Sequence, residues 1–137
     1  MHAFRALLDR TLGDVTDVEA ALHEFGRQFA AEIAHSPERS AVMRLLIAEA
    51  AHFPALLAQT AKAGSAQQAL ADRLAELAGR GLLDVADPME AAEFLGLLVT
   101  GRVNNRSWYG AVQFADAEIE ALAASGVRMF LRVYGSR

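Results

Sequence analysis

Ser40-Ala41-Val42-Met43-Arg44-Leu45-Leu46-Ile47-Ala48-Glu49-Ala50-Ala51-His52-Phe53-Pro54-Ala55-Leu56-Leu57 is the stretch whose reading constrains the fold most. Between Ala41 and Ala51 only Arg44 and Glu49 are charged, and apart from the β-branched Val42 and Ile47 every residue is an unbranched or small helix former. The composition predicts a helix that is apolar nearly all round, and such a helix is expected at the centre of a domain with the others wrapped about it. Pro54 lacks a backbone donor and disfavours helical geometry at Phe53, so the chain is expected to break or kink there. The restart places the proline in a first turn and is expected to run to Lys62 or Ala63.

Composition narrows the rest. A chain of 137 residues fits one domain, residues 1–137, and 53% hydrophobic residues dominated by alanine and leucine favour an all-α antiparallel bundle of about six to seven helices. There is no cysteine, so disulfides and thiolate chemistry are excluded, which suits a cytoplasmic location. No apolar run approaches the roughly 20 residues of a membrane span. A formal charge of −4 without a lysine- or arginine-rich cluster argues against direct nucleic-acid contact by this chain.

Along the chain, Phe4, Leu7, Leu8 and Leu12 recur at helical spacing, and Gly13 is expected to end that helix in a left-handed cap. Thr16-Asp17-Val18-Glu19 reads as a capping box ahead of a stripe of Val18, Leu22, Phe25, Phe29 and Ile33 running to about His35. Ser36-Pro37-Glu38 supplies an N-cap, a first-turn proline and an acid at the positive helix end. A further helix is predicted from Ala66 to Arg80, with Gly79 and Gly81 closing it, and Asp87-Pro88-Met89-Glu90 is the strongest start signal in the chain. The helix from Pro88 carries apolar residues on two faces, Ala92, Leu95 and Val99 on one and Phe94, Leu97 and Leu98 toward the other. Gly96 and Gly101 are read as points where another backbone comes close. The last helix is expected from about Asp116 to Tyr134, with small residues from Ala123 to Gly126.

Arg44 to Leu56, then Asp87-Pro88 opening a helix with Phe94-Leu95-Gly96-Leu97-Leu98, then Phe130-Leu131-Arg132-Val133-Tyr134-Gly135 together resemble the C-terminal domain of TetR-family transcriptional regulators. The resemblance covers nearly the whole chain. It implies a body that binds a small apolar or amphipathic inducer and forms a homodimer, while a helix-turn-helix head binds operator DNA. Phe4-Arg5-Ala6-Leu7-Leu8 resembles the first body helix, which would carry the inducer signal to the head. No such head precedes Phe4 here, so the resemblance implies either a truncated repressor or a headless paralogue that pairs with full-length regulators; truncation is the favoured reading.

Site residues divide between ligand and structure. The resemblance implies that some of Phe25, Phe29, Ile47, Phe94 and Leu98 line a cavity, though residues of these types are more often core. His52, three residues after Glu49, is either a polar handle in that cavity or a helix-end histidine bonded to Glu49, and capped helix ends are the commoner case. Arg102 and Arg106, one turn apart, suit a carboxylate with Trp108 or Tyr109 closing over an apolar body, yet two helix-end arginines also complement the helix dipole without any ligand. A small helical enzyme or carrier using Arg102 to Tyr109 is the alternative from another class. The four histidines have no metal-ligand spacing, no catalytic triad or phosphate loop is present, and no cofactor is implied. The two-faced Pro88 helix and the small residues of the last helix predict a four-helix dimer interface through Leu95, Val99, Ala123, Gly126, Val127 and Phe130.

Overall fold

A computed structural model describes residues 2–55 and 65–136. The described helices are α1 (His2–Leu12), α2 (Val18–Ala34), α3 (Pro37–Ala48), α4 (Ser65–Gly79), α5 (Pro88–Arg106) and α6 (Asp116–Tyr134). No strand occurs among the described residues; a single bridge pairs Leu83 with Gly135, and the Asp84 N–H donates to the Tyr134 carbonyl at 2.7 Å. The all-α bundle is thus as the sequence predicts.

Helix starts follow local chemistry. Asp17, Ser36 and Asp87 sit in extended backbone, and each side chain accepts from the N–H three residues on: Ala20, Arg39 and Glu90. Pro37 and Pro88 occupy first-turn positions whose missing donor costs nothing. At α2 the cap is Asp17, one residue beyond the expected Thr16, because the Asp17 carboxylate reaches the Ala20 amide at 3.2 Å. Asp17→Ala and Asp87→Ala should each cost about 1 kcal/mol, while Thr16→Ala should cost little; urea unfolding of the three variants checks this. Gly13 is not left-handed. A Cβ there would press on the Asp9 carbonyl, so close approach rather than a positive φ selects glycine at this helix end.

The central position belongs to α2, which packs on α1, α3, α5 and α6. Its stripe of Leu22, Phe25, Gly26 and Ala30 is buried, and Gly26 lets α6 come so near that a Cβ would stand 2.8 Å from Val127 Cγ2. This corrects the expectation for Ser40 to Leu57. α3 buries no side chain, and Leu45 is 62% and Ile47 50% exposed. An apolar residue on every side gives a helix no preferred stripe to bury, whereas the concentrated stripe and the glycine of α2 do. The break also comes earlier than Pro54: α3 ends at Ala48, a turn follows, and Pro54 and Ala55 resume helical geometry. The expected course of the restart to Lys62 or Ala63 lies outside the described residues.

α5 and α6 complete the core, with Leu95, Val99, Val127 and Phe130 all inaccessible. On the surface of α2, Glu24 accepts from Arg27 and from Gln28, and the Arg27 guanidinium followed by the Gln28 amide lowers its carboxyl from the ordinary 4.5 to about 2. A depressed acid contributes stability that is present above pH 4.5 and lost as pH falls toward 2. Glu24 is nearly half exposed, so screening keeps the contribution under about 1 kcal/mol. Glu24→Gln should be slightly less stable than wild type at pH 7, and the two unfolding curves should converge on acidification through that window.

Candidate ligand-binding site

Phe4, Phe25 and Phe29 form one aromatic cluster joining α1 to α2. Phe4 meets Phe29 edge-on with centroids 5.3 Å apart and Phe25 at 6.3 Å, while Phe25 stacks on Phe29 at 5.5 Å. Phe25 is wholly buried behind the other two, which remain half-buried because a groove opens in front of them. That groove has a volume of about 500 Å³ and is open to solvent on one side. Phe4 and Phe29 form its floor with Leu70 of α4; Ala92, Gly96 and Leu97 of α5 make one wall; Ala66 and Gln67 of α4 and Arg39 of α3 make the other sides, and Glu93 stands on the α5 rim.

The polar groups are few and peripheral. Arg39 and Glu93 are exposed at the rim, and neither makes an ion pair among the described residues. Gln67 donates to the Met89 carbonyl at 3.4 Å, a long bond that leaves its amide oxygen available. Gly96 has no neighbour among the described residues within 4 Å of where a Cβ would lie. It does not serve the close backbone approach expected of it; it widens the groove instead, and Gly101 is equally open. An apolar aromatic floor with one cation, one anion and one amide at the edge suits a medium-sized, mostly apolar molecule with polar groups at its periphery.

The candidate residues from the sequence scatter around this site. Phe29 lines the groove and Phe25 backs it. Ile47 is on exposed α3 away from the groove, and His52 pairs with Glu49 at 3.3 Å, outside it. Phe94 is 46% exposed on the outward side of α5, with Leu98 one turn on. Arg102 donates to Ser125 Oγ on α6 at 3.2 Å, and Trp108 is 73% exposed beyond the end of α5, so the Arg102 to Tyr109 cluster forms no wall of the groove. The missed residues include Phe4 as well as Arg39, Gln67, Leu70, Glu93 and Leu97; the hint in the sequence was the second apolar face of the Pro88 helix.

The expected dimer residues need a larger correction. Leu95, Val99, Ala123, Gly126, Val127 and Phe130 are all buried inside the subunit, where α5, α6 and α2 meet. Gly126 does mark a close helix approach, but to Leu98 of the same chain. The large apolar side chains left exposed on these two helices are Met89, Phe94 and Leu97 on α5, the last on the groove, and Met129 and Val133, 50% and 65% exposed, on α6, while Leu98 is half-buried against the core.

Residues 20–136 match the model of the AefR-like transcriptional repressor C-terminal domain, a TetR C-terminal family. The chain belongs to the TetR family. Among solved structures, it is similar to a protein of Mesorhizobium loti MAFF303099 assigned to the TetR-family transcriptional regulators, with 26% identity and a TM-score of 0.82 over 98% of this chain and 67% of that one. It is also similar to the flavonoid-responsive regulator FrrA, with 28% identity and a TM-score of 0.72 over 98% of this chain and 71% of FrrA. No curated protein matches the sequence. These relatives are transcriptional regulators and not enzymes, so this TetR-family domain is a regulatory body and not a catalyst. None of its described helices is long and apolar enough to cross a membrane.

Proposed function

We propose that the chain is the effector-binding and dimerising body of a cytoplasmic TetR-type repressor, and that its effector occupies the groove over Phe4 and Phe29. The observation that carries this is the groove itself, an apolar space of about 500 Å³ whose floor includes a residue of α1. An effector there touches Phe4 directly, so binding biases the position of α1, the helix through which the family resemblance routes the signal to a DNA-binding head. The flavonoid response of FrrA supports a planar aromatic ligand, since such a molecule stacks on Phe29 and presents hydroxyls to Gln67 and the rim. A panel of flavonoids, aromatic acids and 1-anilinonaphthalene-8-sulfonate, scored by thermal shift and calorimetry, tests the reading. At least one compound should bind stoichiometrically and raise the melting temperature, and Leu97→Trp, which fills the groove, should abolish the effect. A panel with no binder defeats the proposal.

Dimerisation is assigned to the outward face of α5 and α6. Phe94 stands exposed on α5, with Leu98 one turn on and half-buried beside it, and Met129 and Val133 stand exposed one turn apart on α6; together they offer an apolar surface that a two-fold axis can match against its copy. The expected result is a wild-type dimer by light scattering, and a folded monomer for Phe94→Asp combined with Met129→Asp. A wild-type monomer at high micromolar concentration overturns the assignment.

A further inference from the structure

Among the described residues α3 is fastened to the body at few points. It buries no side chain, and its principal packing partner among the described helices is α2. Two of its residues one turn apart, Ser40 and Arg44, meet the turn that follows α5. Arg44 Nη1 donates to the Tyr109 carbonyl at 2.8 Å, and Ser40 lies so near that a Cβ on Gly110 would stand 2.6 Å from Ser40 Cβ. The residue before Ser40 is Arg39, on the rim of the groove.

The turn they grip is held in an uncommon conformation. Trp108, Tyr109 and Gly110 have φ of 52°, 55° and 87° in succession. Glycine is at ease there, but two aromatic residues are not, and such geometry persists only where surrounding bonds over-determine it. Within the turn the Tyr109 N–H donates to Asn104 at 2.8 Å, the Val112 N–H to the carbonyl of buried Ser107 at 2.9 Å, and the Gly110 N–H to Ser107 Oγ at 3.0 Å. The bond from Arg44 adds the contribution from outside.

We propose that the Arg44 to Tyr109 bond is a latch through which occupancy of the groove is felt at the α5–α6 turn. The half that concerns the groove rests on the effector reading above; the half that concerns the turn rests on its geometry alone. An effector bridging Arg39 to the α5 wall changes the distance between α3 and α5. Ser40 and Arg44 belong to the same helix as Arg39, so the shift reaches them undiminished, loads or releases the latch, and lets the left-handed turn relax. Coupling of this kind is reciprocal: removing the latch alters affinity in the groove, just as filling the groove alters the turn.

Trp108 is the only tryptophan in the chain and lies within the turn, so its time-resolved fluorescence anisotropy reads the turn directly. Arg44→Ala should increase the amplitude of fast Trp108 motion and speed hydrogen exchange across residues 105–113 about tenfold. It should also change the affinity for 1-anilinonaphthalene-8-sulfonate, measured by calorimetry, by about fivefold or more. Arg44→Lys, which keeps a donor, should fall between, and Arg128→Ala, the same charge loss at an exposed residue of α6 remote from the turn and with no bonded partner among those described, should do neither. Arg44 is exposed on a helix with no fully buried side chain, so circular dichroism should show all three variants folded. Unchanged anisotropy and exchange in Arg44→Ala overturn the latch. Changes there with dye affinity within about twofold of wild type overturn the coupling. A wild-type protein that binds no dye and no panel compound overturns the groove reading and the coupling with it, while anisotropy and exchange still decide whether Arg44 holds the turn.

Discussion

Gly126→Val is expected to leave the chain unable to reach its native fold, and Gly126→Ala to cost about 3 kcal/mol or more, the upper end of what overpacking imposes. A Cβ at this position would stand 2.6 Å from the Leu98 carbonyl carbon and 3.2 Å from the Val99 nitrogen, both backbone atoms of α5. Backbone cannot rotate away as a side chain can, so α5 and α6 must separate, and the contacts among Leu95, Val99, Val127 and Phe130 loosen together. Gly26→Ala would press on Val127 Cγ2 at 2.8 Å, with Val99 Cγ2 at 3.6 Å in ordinary contact; the obstacle is a buried side chain and not backbone, so the cost should be about 1–3 kcal/mol. Gly96→Ala meets nothing among the described residues and should gain up to about 1 kcal/mol from helix propensity while narrowing the groove. Urea unfolding followed by circular dichroism ranks the three. A Gly126→Ala protein as stable as wild type would show that the helices do not meet there. For the same reason a charge at Ala123 or Gly126 should unfold the subunit rather than release a folded monomer, which is why the dimer is tested at Phe94 and Met129.

Phe25→Ala and Phe29→Ala should separate stability from ligand binding. Phe25 is inaccessible and its ring contacts both Phe4 and Phe29, so its loss leaves a cavity in the middle of the core and should cost about 3–5 kcal/mol. For a domain whose total stability is about 5–15 kcal/mol, that is a large share. Phe29 is half-buried with one side on the groove, and its truncation should destabilise less but weaken a groove ligand by about tenfold, the equivalent of about 1.4 kcal/mol of lost contact. Thermal unfolding and calorimetric titration of both variants give the comparison. Ligand affinity that survives Phe29→Ala unchanged would place the ligand somewhere else.

Helix class and most helix ends were legible in the sequence because they depend on neighbours within a few residues. Ser36-Pro37 and Asp87-Pro88 cap and start their helices where local hydrogen bonding dictates, and the span from Asp116 to Tyr134 appears as read. Periodicity also identified Leu95 with Val99, and Val127 with Phe130, as residues sharing a stripe. It did not say what covers the stripe. Burial by the same chain and burial by a second copy impose the same spacing, and only the tertiary structure shows α2, α5 and α6 closing over these residues themselves. The apolar α3 misled for a related reason: total hydrophobicity was read as depth, whereas position in the core follows from a focused stripe and from a glycine such as Gly26 that admits close packing. The groove was legible only in part, through Phe29 and the second apolar face of the Pro88 helix. Phe4, Phe29, Arg39, Leu70 and Glu93 come from five helices, and no local pattern links them; what makes them one site is the space left where those helices fail to touch.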